Sequence, residues 1–489
     1  MGGHDGLRAL ASRSTRTLRH PVPRRTLRQP VPRRFHGGES VPGRYRARGA
    51  SRRSSEPLVD KLNATKAAVE AVPHAADRRV IGGGRGQREH EAMIVNRYHC
   101  LMLYATPSLT PADERVLAEI TAMHSELSHA VRQAPAKWTQ DLRRSLTASA
   151  IAASNTIEGF QVDVRDVADL MDGERESINA SEADKAETLA YQQMMTYIQS
   201  LYDVEDFSYS KGLLNALHWM LQGHHHTRQR PAGQWRRKAI FISAAGDPLS
   251  TEYEGPREDR LPALTGELVD WLNEGDLDSN PLVRAAMAHL NLVKIHPWVD
   301  GNGRMSRSLQ TLVIARQRAL APEFSSIEEW LGMPGNTWDY YKVLREVGGP
   351  VYSPERDTGP WISFNLRAHH EQAQRVRHRV RRSTDIWLLL DQHAASRGVS
   401  ERQVAALHEV AVAGRVRRSR YEKSEGLNSQ QATRDMQALV RAGILTAVGQ
   451  TKGRHYVAGD HFPQDVLDVA QRRHVIHNPY DSQPPARGF

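Results

Sequence analysis

A twelve-residue stretch, HPWVDGNGRMSR at 296–307, gathers side chains whose types and spacing could do chemistry. His296 can accept a proton near neutral pH, and the Asp300 carboxylate can bind a hard cation. Arg304 and Arg307 are three residues apart, so on a helix their guanidinium groups project from the same side, and such groups suit phosphate oxygens. These residue types predict a site for a phosphorylated ligand, a metal ion and a general base.

Two helices must position this stretch. Apolar residues recur at helical spacing on both sides of it, at Leu282, Ala286, Leu290 and Val293, and at Met305, Leu309, Leu312 and Val313. Pro297 ends the first helix, because the residue before a proline disfavours the α conformation. The second begins near Gly303, where free N–H groups and the helix dipole favour an anion. Gly301, Asn302 and Gly303 are therefore predicted to form an anion-binding turn; the alternative is an ordinary turn with solvated arginines.

The stretch resembles the signature of the Fic (AMPylation) family, HxFx(D/E)GN(G/K)RxxR, with Trp298 standing where phenylalanine is usual. The matching residues are His296, Asp300, Gly301, Asn302, Gly303, Arg304 and Arg307. The likeness extends from about residue 110 to about residue 370. It implies a protein adenylyltransferase that uses ATP and Mg²⁺ to transfer AMP to a Ser, Thr or Tyr hydroxyl of a target protein.

The resemblance also implies a role for each matching residue. His296 would deprotonate the hydroxyl and Asp300 would hold Mg²⁺. The backbone of Gly301–Gly303 would cradle the α- and β-phosphates. Arg304 and Arg307 would bind the outer phosphates, with Arg307 at the γ-position.

A β-hairpin turning at Gly246-Asp247 is predicted between helical segments, because two short apolar strands flank a turn dipeptide. It corresponds to the family's flap, here 236–258, which would bind the target protein by strand addition. Tyr340-Tyr341 resembles an element near the adenine, which assigns Tyr341 to the nucleotide site; a pair of core tyrosines is the alternative.

A second motif, SNTIEG at 154–159, closes a helix of small residues. It resembles the family's inhibitory signature, (S/T)xxxE(G/N), through Ser154, Glu158 and Gly159. The resemblance implies that Glu158 pairs with Arg307, where a carboxylate and a γ-phosphate compete for one guanidinium group. Without the first motif, an acid followed by glycine would be an ordinary helix end.

The fold class predicted is mainly α: a Fic fold, which is a helical bundle with a β-hairpin flap, plus a C-terminal winged helix-turn-helix domain. The predicted segments are a disordered Arg/Pro-rich extension and linker (1–92), an N-terminal helical region with the inhibitory helix (93–205), the catalytic core (206–372), a winged-helix-like domain (373–462) and a C-terminal tail (463–489).

The winged-helix prediction depends on a helical stripe at 432–440 followed by two short strands across a Gly/Lys turn. Side chains of such a helix can enter the major groove of DNA. The candidate contact residues are Gln430, Gln431, Thr433 and Arg434 on the helix and Lys452 and Arg454 on the wing. Winged helices also bind proteins, and weak charge outside the N-terminal tail makes DNA the less favoured partner.

The 489 residues carry a formal charge of +10, of which residues 1–55 supply +12 (14 Arg against Asp5 and Glu39), so the rest sums to −2. This tail could be a nucleic-acid arm, a transit peptide or a dispensable extension upstream of a start at Met93, and we favour the last. The single cysteine, Cys100, excludes a disulfide framework and fits a cytoplasmic protein without membrane spans. A homodimer is a further expectation.

Three adjacent histidines, His224, His225 and His226, could suggest a metal site. Successive side chains on a helix diverge by about 100°, so we expect them not to converge on one ion. Two alternatives to AMP transfer arise from the motifs. The same site could remove AMP or transfer another nucleotide-derived group, or the chain could be a winged-helix DNA-binding regulator whose Fic domain senses nucleotide.

Overall fold

The computed structural model describes residues 103–133, 136–175, 178, 180–244, 247–317, 321–450 and 453–481. The predicted N-terminal extension, 1–92, and Cys100 lie outside these ranges. The first helices are α1 Pro111–Gln133, α2 Ala136–Ile157, α3 Val164–Met171, α4 Glu182–Ser200 and α5 Lys211–Gln222. Thr110 and Asp113 cap α1 reciprocally, since each backbone N–H donates to the side chain of the other residue. Four of these helices, α1 to α4, fall within the N-terminal helical region predicted at 93–205.

The middle of the chain supplies the elements around the 296–307 loop. After a 3₁₀ turn at Gly223–His225 come β1 Phe241–Ala244, β2 Asp247–Glu254, α6 Leu261–Glu274, α7 Pro281–Ile295, α8 Asn302–Ala315, α9 Pro322–Ser325, α10 Glu328–Leu331 and α11 Pro334–Gly348. The strands pair antiparallel with irregular register after Ile242↔Tyr253. The predicted hairpin is therefore confirmed, although Gly246 itself lies outside the described residues.

Helix α7 runs through the middle of the main core, and every residue from Leu282 to Ile295 is buried. Asn280 begins it by accepting a hydrogen bond from the Leu282 N–H at 3.0 Å. Its buried polar side chains have partners: Asn291 brackets the backbone of Tyr104, and His289 lies between Gln310 and Tyr340. A helix enclosed on all sides gives its C-terminal residue, His296, a fixed position.

The C-terminal part begins with α12 Gly359–Arg397, a single helix of 39 residues. The following elements are α13 Glu401–Ala413, α14 Arg418–Ser424, α15 Ser429–Arg441, β3 Leu445–Val448, β4 His455–Ala458 and α16 Gln464–Gln471. A bridge between Val416 and Tyr456 adds a third strand position beside the β3–β4 pair. The helix and hairpin predicted here are present, and the winged-helix assignment stays a prediction.

Two predicted boundaries need correction. Helix α12 continues through residue 372, so no break separates the core from the C-terminal part at that position. The segment predicted as a tail contains α16, whose Val466 and Val469 are buried in the C-terminal apolar cluster. Beyond it, the Tyr480 hydroxyl donates to Asp113 of α1 at 2.7 Å. A helix of eight residues is too short for helical periodicity to predict its packing.

Ion pairs join the C-terminal part to the helices of the inhibitory motif. Arg420 of α14 pairs with Asp141 of α2, the helix that carries Ser154. Arg415 and Arg417 both reach Asp169 of α3, at 2.7 and 2.9 Å. The helices before and after the inhibitory motif, α2 and α3, therefore both contact the C-terminal part. Within the described ranges, no helix has the length and hydropathy needed to cross a bilayer.

Candidate active site

His296 ends α7 in a left-handed conformation, with φ 50° and ψ 57°. This conformation is uncommon for a residue with a Cβ, and it directs the chain out of the helix immediately before Pro297, which cannot continue it. The ring Nδ1 lies 3.1 Å from the Val293 carbonyl, which fixes Nδ1 as the protonated nitrogen and leaves Nε2 as the acceptor. Burial lowers the pKa of His296 to about 4, so the ring is neutral at pH 7.

Arg236, a residue that the sequence did not single out, fixes the loop around His296. Its side chain is buried, and Nε donates to the His296 carbonyl at 2.8 Å. The other two nitrogens donate to the carbonyls of Lys238 and Pro256, one at each end of the hairpin. One guanidinium group thus ties the histidine to both bases of the flap. The only sequence signal was its place at the foot of the predicted hairpin.

The predicted anion-binding turn opens α8. Gly301 has φ 77°, which a glycine adopts without strain, and the Met305 N–H donates back to its carbonyl. The first N–H groups of the helix have no acceptor within the helix and face the turn. Asn302, predicted to bind nucleotide, uses its side chain otherwise: its amide group brackets the backbone of Trp298 at 3.0 and 3.1 Å. Its side chain therefore shapes the turn, and only its backbone is left for an anion.

Asp300 stands at the mouth of the turn with its side chain 51% exposed. Its Oδ1 accepts from the Gly301 N–H at 2.7 Å, and Oδ2 lies 3.8 Å from Arg230. His218, also missed in the sequence, stacks on Trp298 with centroids 4.6 Å apart and bonds the Asp300 carbonyl at 3.0 Å. Mg²⁺ commonly takes one or two carboxylates together with substrate phosphates and water, and one half-exposed carboxylate beside an anion turn fits that requirement.

Arg307 lies where the inhibitory motif was expected to reach it. Its Nε donates to the Ser154 hydroxyl at 2.9 Å, and Nη2 donates to the Ser154 carbonyl at 3.1 Å and to Glu158 Oε1 at 2.8 Å. The same Glu158 oxygen lies 2.5 Å from where a Cβ on Gly303 would be. The carboxylate therefore occupies the first turn of α8. Gly159 comes next in the chain with φ 89° and allows it to turn away.

Arg304 is placed differently from the expectation that it binds outer phosphates. It forms an ion pair with Glu187 of α4, and both side chains are only 2% exposed. The Phe160 ring covers the guanidinium at 5.2 Å. In this structure Arg304 is thus held by a buried carboxylate. Nothing in the local sequence of α4 marked Glu187, because an acid on an amphipathic helix is ordinarily solvated.

The remaining predicted site residues lie near the inhibitory motif or on the C-terminal part. Tyr341 is half-exposed, and its hydroxyl donates to the Ile157 carbonyl at 3.3 Å, while Tyr340 is buried. Its contact with the adenine stays a prediction. On α15, the Gln431 side chain caps its own helix by accepting from the Asn428 N–H. The candidate contact residues Gln430, Arg434 and Arg454 are exposed, Thr433 is half-buried, and Lys452 lies outside the described residues.

The expectation that the three histidines do not converge holds for His226 but is wrong for His224 and His225. These two lie in a 3₁₀ turn, and both of their Nε2 atoms approach Glu187. His226 does not join them; its Nδ1 accepts from the Ala232 N–H at 3.2 Å.

The chain is similar in sequence to known adenylyltransferases over part of its length. Residues 208–314 match the model of the Fic/DOC family. The protein adenylyltransferase fic-1 of Caenorhabditis elegans is 38% identical over 86 residues, which are 17% of this chain and 15% of that protein. The protein adenylyltransferase Fic of Nematostella vectensis is 26% identical over 215 residues, or 44% of this chain and 45% of that one. The chain thus spans less than half the length of these relatives.

Two solved structures of Fic proteins align with larger shares of the chain at lower sequence identity. A Fic family protein from Desulfovibrio desulfuricans aligns over 73% of this chain and 98% of its own, at a TM-score of 0.45 and 20% identity. Fic-1 of C. elegans aligns over 60% of this chain and 77% of its own, at a TM-score of 0.42 and 18% identity. Because both TM-scores are below 0.5, the similarity to the Fic/DOC family depends on the sequence matches.

Proposed function

We propose, on the premise that this chain belongs to the Fic/DOC family through residues 208–314, that it is an adenylyltransferase that transfers AMP from ATP to a hydroxyl of a target protein. The observation that carries the proposal is the single loop in which a neutral histidine, a half-exposed aspartate and an anion turn succeed one another within eight residues, 296–303. The names of the relatives support the enzyme class. The target protein and the modified residue are not specified by the site.

The chain's own groups suffice to describe the transfer. The hydroxyl oxygen forms a bond to the α-phosphorus, the bond to the α–β bridging oxygen breaks, and pyrophosphate leaves. His296 Nε2 takes the hydroxyl proton as general base, since Nδ1 is committed to the Val293 carbonyl. The N–H groups at the start of α8 hold the phosphate oxygens. Mg²⁺ held by Asp300 would neutralise phosphate charge.

The flap would present the hydroxyl. Arg236 joins the carbonyl of His296 to both ends of the hairpin, so one guanidinium group links the strands to the general base. Glu254 of β2 bridges to Val351, and in the described part of the chain the hairpin pairs with no other strand, so the rest of its edges would be open to an extended segment of a target protein.

Glu158 would inhibit this reaction. Its carboxylate is 2.8 Å from Arg307 and lies against Gly303, so it stands where an outer phosphate would meet the same guanidinium and the same helix start. Two anions cannot share that place at low energetic cost. ATP would then bind in a form that cannot react until Glu158 moves away.

The test is mass spectrometry of purified protein after incubation with ATP and Mg²⁺. We expect the wild type to attach little AMP to itself, whereas Glu158→Gly should attach AMP to itself strongly, with a mass increase of one adenylate at each modified residue. The double variant Glu158→Gly/His296→Ala should attach none. Thr156→Gly is the matched control, because it places a glycine in the same helical turn at an exposed side chain. If Glu158→Gly acquires no adenylate on itself or on lysate proteins, the proposal fails.

A second candidate function concerns the C-terminal part. A cleft of about 670 Å³ lies between α14, α15 and the β3–β4 hairpin, and Arg417, Arg418, Arg441 and Arg454 line it. Arg417 pairs with Asp169 and Arg418 with Glu422, whereas Arg441 and Arg454 are exposed. The two exposed guanidinium groups favour a partner with anionic groups, of which duplex DNA is the first to test. A gel-shift titration with Arg441→Ala and Arg454→Ala variants would show weakened, salt-dependent binding. If no shift appears at low salt, duplex DNA is excluded, and a protein with anionic groups becomes the partner to test at this cleft.

A further inference from the structure

Glu187 of α4 receives two imidazole groups as well as Arg304. Its Oε1 lies 2.7 Å from His225 Nε2 and 3.4 Å from His224 Nε2. One ligand atom from each of the three residues falls within 4.8 Å of the others. The adenylyltransfer site does not use this arrangement.

The local fold explains the convergence. The 3₁₀ turn Gly223–His225 comes directly after α5, and in it the two rings turn toward Glu187 with a centroid distance of 4.1 Å. Glu187 is fixed from the opposite side, because its Oε2 holds Arg304 and its side chain is 2% exposed. The histidines are 23% and 46% exposed, so solvent reaches the open side of the group.

We propose that Glu187, His224 and His225 form a binding site for a divalent transition-metal ion of the Zn²⁺ class. Two imidazole nitrogens and one carboxylate oxygen, with a fourth position open to water, are a common ligand set for Zn²⁺ in proteins. Metal–ligand distances of about 2.0–2.1 Å place tetrahedral ligand atoms about 3.3 Å apart, and the distances from Oε1 lie on either side of that value. Mg²⁺ and Ca²⁺ prefer oxygen ligands and do not suit the two imidazoles.

The carboxylate would serve two cations with separate oxygens. Oε1 faces the histidines, whereas Oε2 pairs with Arg304. A metal bound at Oε1 would therefore tie α4 and the end of α5 to the start of α8 without displacing Arg304. Metal binding should accordingly stabilise the fold, because the folded chain presents three ligands that the unfolded chain keeps apart.

The experiment uses the full chain purified without a histidine tag. Co²⁺ serves as the spectroscopic probe, because tetrahedral Co²⁺ absorbs far more strongly in the visible range than octahedral Co²⁺. Zn²⁺ affinity is measured by competition with a chelating dye, and thermal unfolding is followed with and without Zn²⁺. We expect one equivalent of metal, a visible Co²⁺ spectrum and a higher Tm with Zn²⁺.

The double variant His224→Ala/His225→Ala removes two ligands at the surface and should fold normally, as its metal-free Tm will check. It should bind Zn²⁺ at least about 100-fold more weakly, since even loss of a residue that only supports a ligand costs 10–100-fold. His226→Ala is the matched control, and its affinity should stay that of the wild type. The proposal is overturned if the wild type binds neither ion, or if the double variant binds like the wild type. Neither measurement requires ATP, so failure here is distinct from failure of AMP transfer.

Discussion

Two arginines of the same helix, Arg304 and Arg307, each pair with a carboxylate from earlier in the chain, and the two pairs differ in burial. Glu187, the partner of Arg304, is 2% exposed, whereas Glu158, the partner of Arg307, is 24% exposed. Glu187 lies inside helix α4, but Glu158 comes just after the end of α2 and precedes a glycine with φ 89°. The first pair is enclosed in the core, and the second lies at a helix end where the carboxylate is partly exposed.

The difference suggests that only one pair is a switch. Moving Glu187 away would leave a guanidinium group buried without its counterion, which is costly. Moving Glu158 away opens Arg307 to solvent or to a phosphate, and the Ser154 hydroxyl and carbonyl still hold the guanidinium. Because these two hydrogen bonds remain, Arg307 can exchange the Glu158 carboxylate for a phosphate without losing all of its partners.

The largest effect expected is on stability, from Glu187→Ala. The variant leaves Arg304 buried beside Phe160 without a carboxylate and should lower the free energy of unfolding by about 3–5 kcal/mol. Urea denaturation followed by circular dichroism would measure it. Glu158→Ala is the comparison, with an expected loss of about 1–2 kcal/mol because the carboxylate is partly hydrated. Equal losses for the two variants would contradict the distinction between a fixed pair and a movable one.

The next effect concerns nucleotide binding. Glu158→Gly should bind a non-hydrolysable ATP analogue with Mg²⁺ about 10- to 100-fold more tightly than the wild type, because a charged hydrogen bond of about 1.5–3 kcal/mol no longer competes. Glu187→Gln should bind it like the wild type, since the amide oxygen still accepts from Arg304. Isothermal titration calorimetry would compare them. Tighter binding by Glu187→Gln would mean that both pairs restrain the phosphate site.

A smaller effect should come from Ser154, which holds Arg307 from the other side. Ser154→Ala removes one hydrogen bond to Arg307 Nε, a change worth about 0.5–1.5 kcal/mol. We expect the self-modification rate to change by less than about tenfold and the effect of Glu158→Gly to persist in the double variant. Rates measured by mass spectrometry for the wild type, the two single variants and the double variant form a double-mutant cycle. A Ser154→Ala rate equal to that of Glu158→Gly would mean that the serine, not the carboxylate, controls Arg307.

The sequence could predict one of these two ion pairs but not the other. Glu158 and Arg307 each stand in a motif, so a resemblance could join them across 149 positions. Glu187 and Arg236 stand in no motif, and their partners depend on how α4 and the hairpin pack on α8 and on the His296 loop. Helix periodicity predicted α7 and α8 well, because their large apolar residues recur at helical spacing although both helices are buried nearly all round. The roles of Glu187, Arg236 and His218 depend on long-range packing, which leaves no such repeat.

The prediction for the histidine run failed for a related reason. Successive side chains diverge in direction, but the rings of His224 and His225 both turn toward Glu187 on another helix, and no local sequence pattern reveals that long-range contact. Asn302 was predicted to offer its backbone to the anion turn, and the structure adds that its side chain closes the loop onto Trp298. Residue type alone did not predict this side-chain contact.

The smallest expected effect is a pH dependence that separates the base from the switch. Burial lowers the pKa of His296 to about 4, so the ring stays neutral, and able to accept a proton, from pH 8 down to about pH 5. In Glu158→Gly, the self-modification rate should therefore change little between about pH 7.5 and pH 6, and should fall only as the pH approaches 4. A histidine with its ordinary pKa of about 6.5 would already lose about three-quarters of its activity at pH 6. Initial rates across matched buffers, with His296→Ala as background, would measure this. A decline centred near pH 6.5 would mean that His296 is hydrated in the active state, and that release of Glu158 opens the base as well as Arg307.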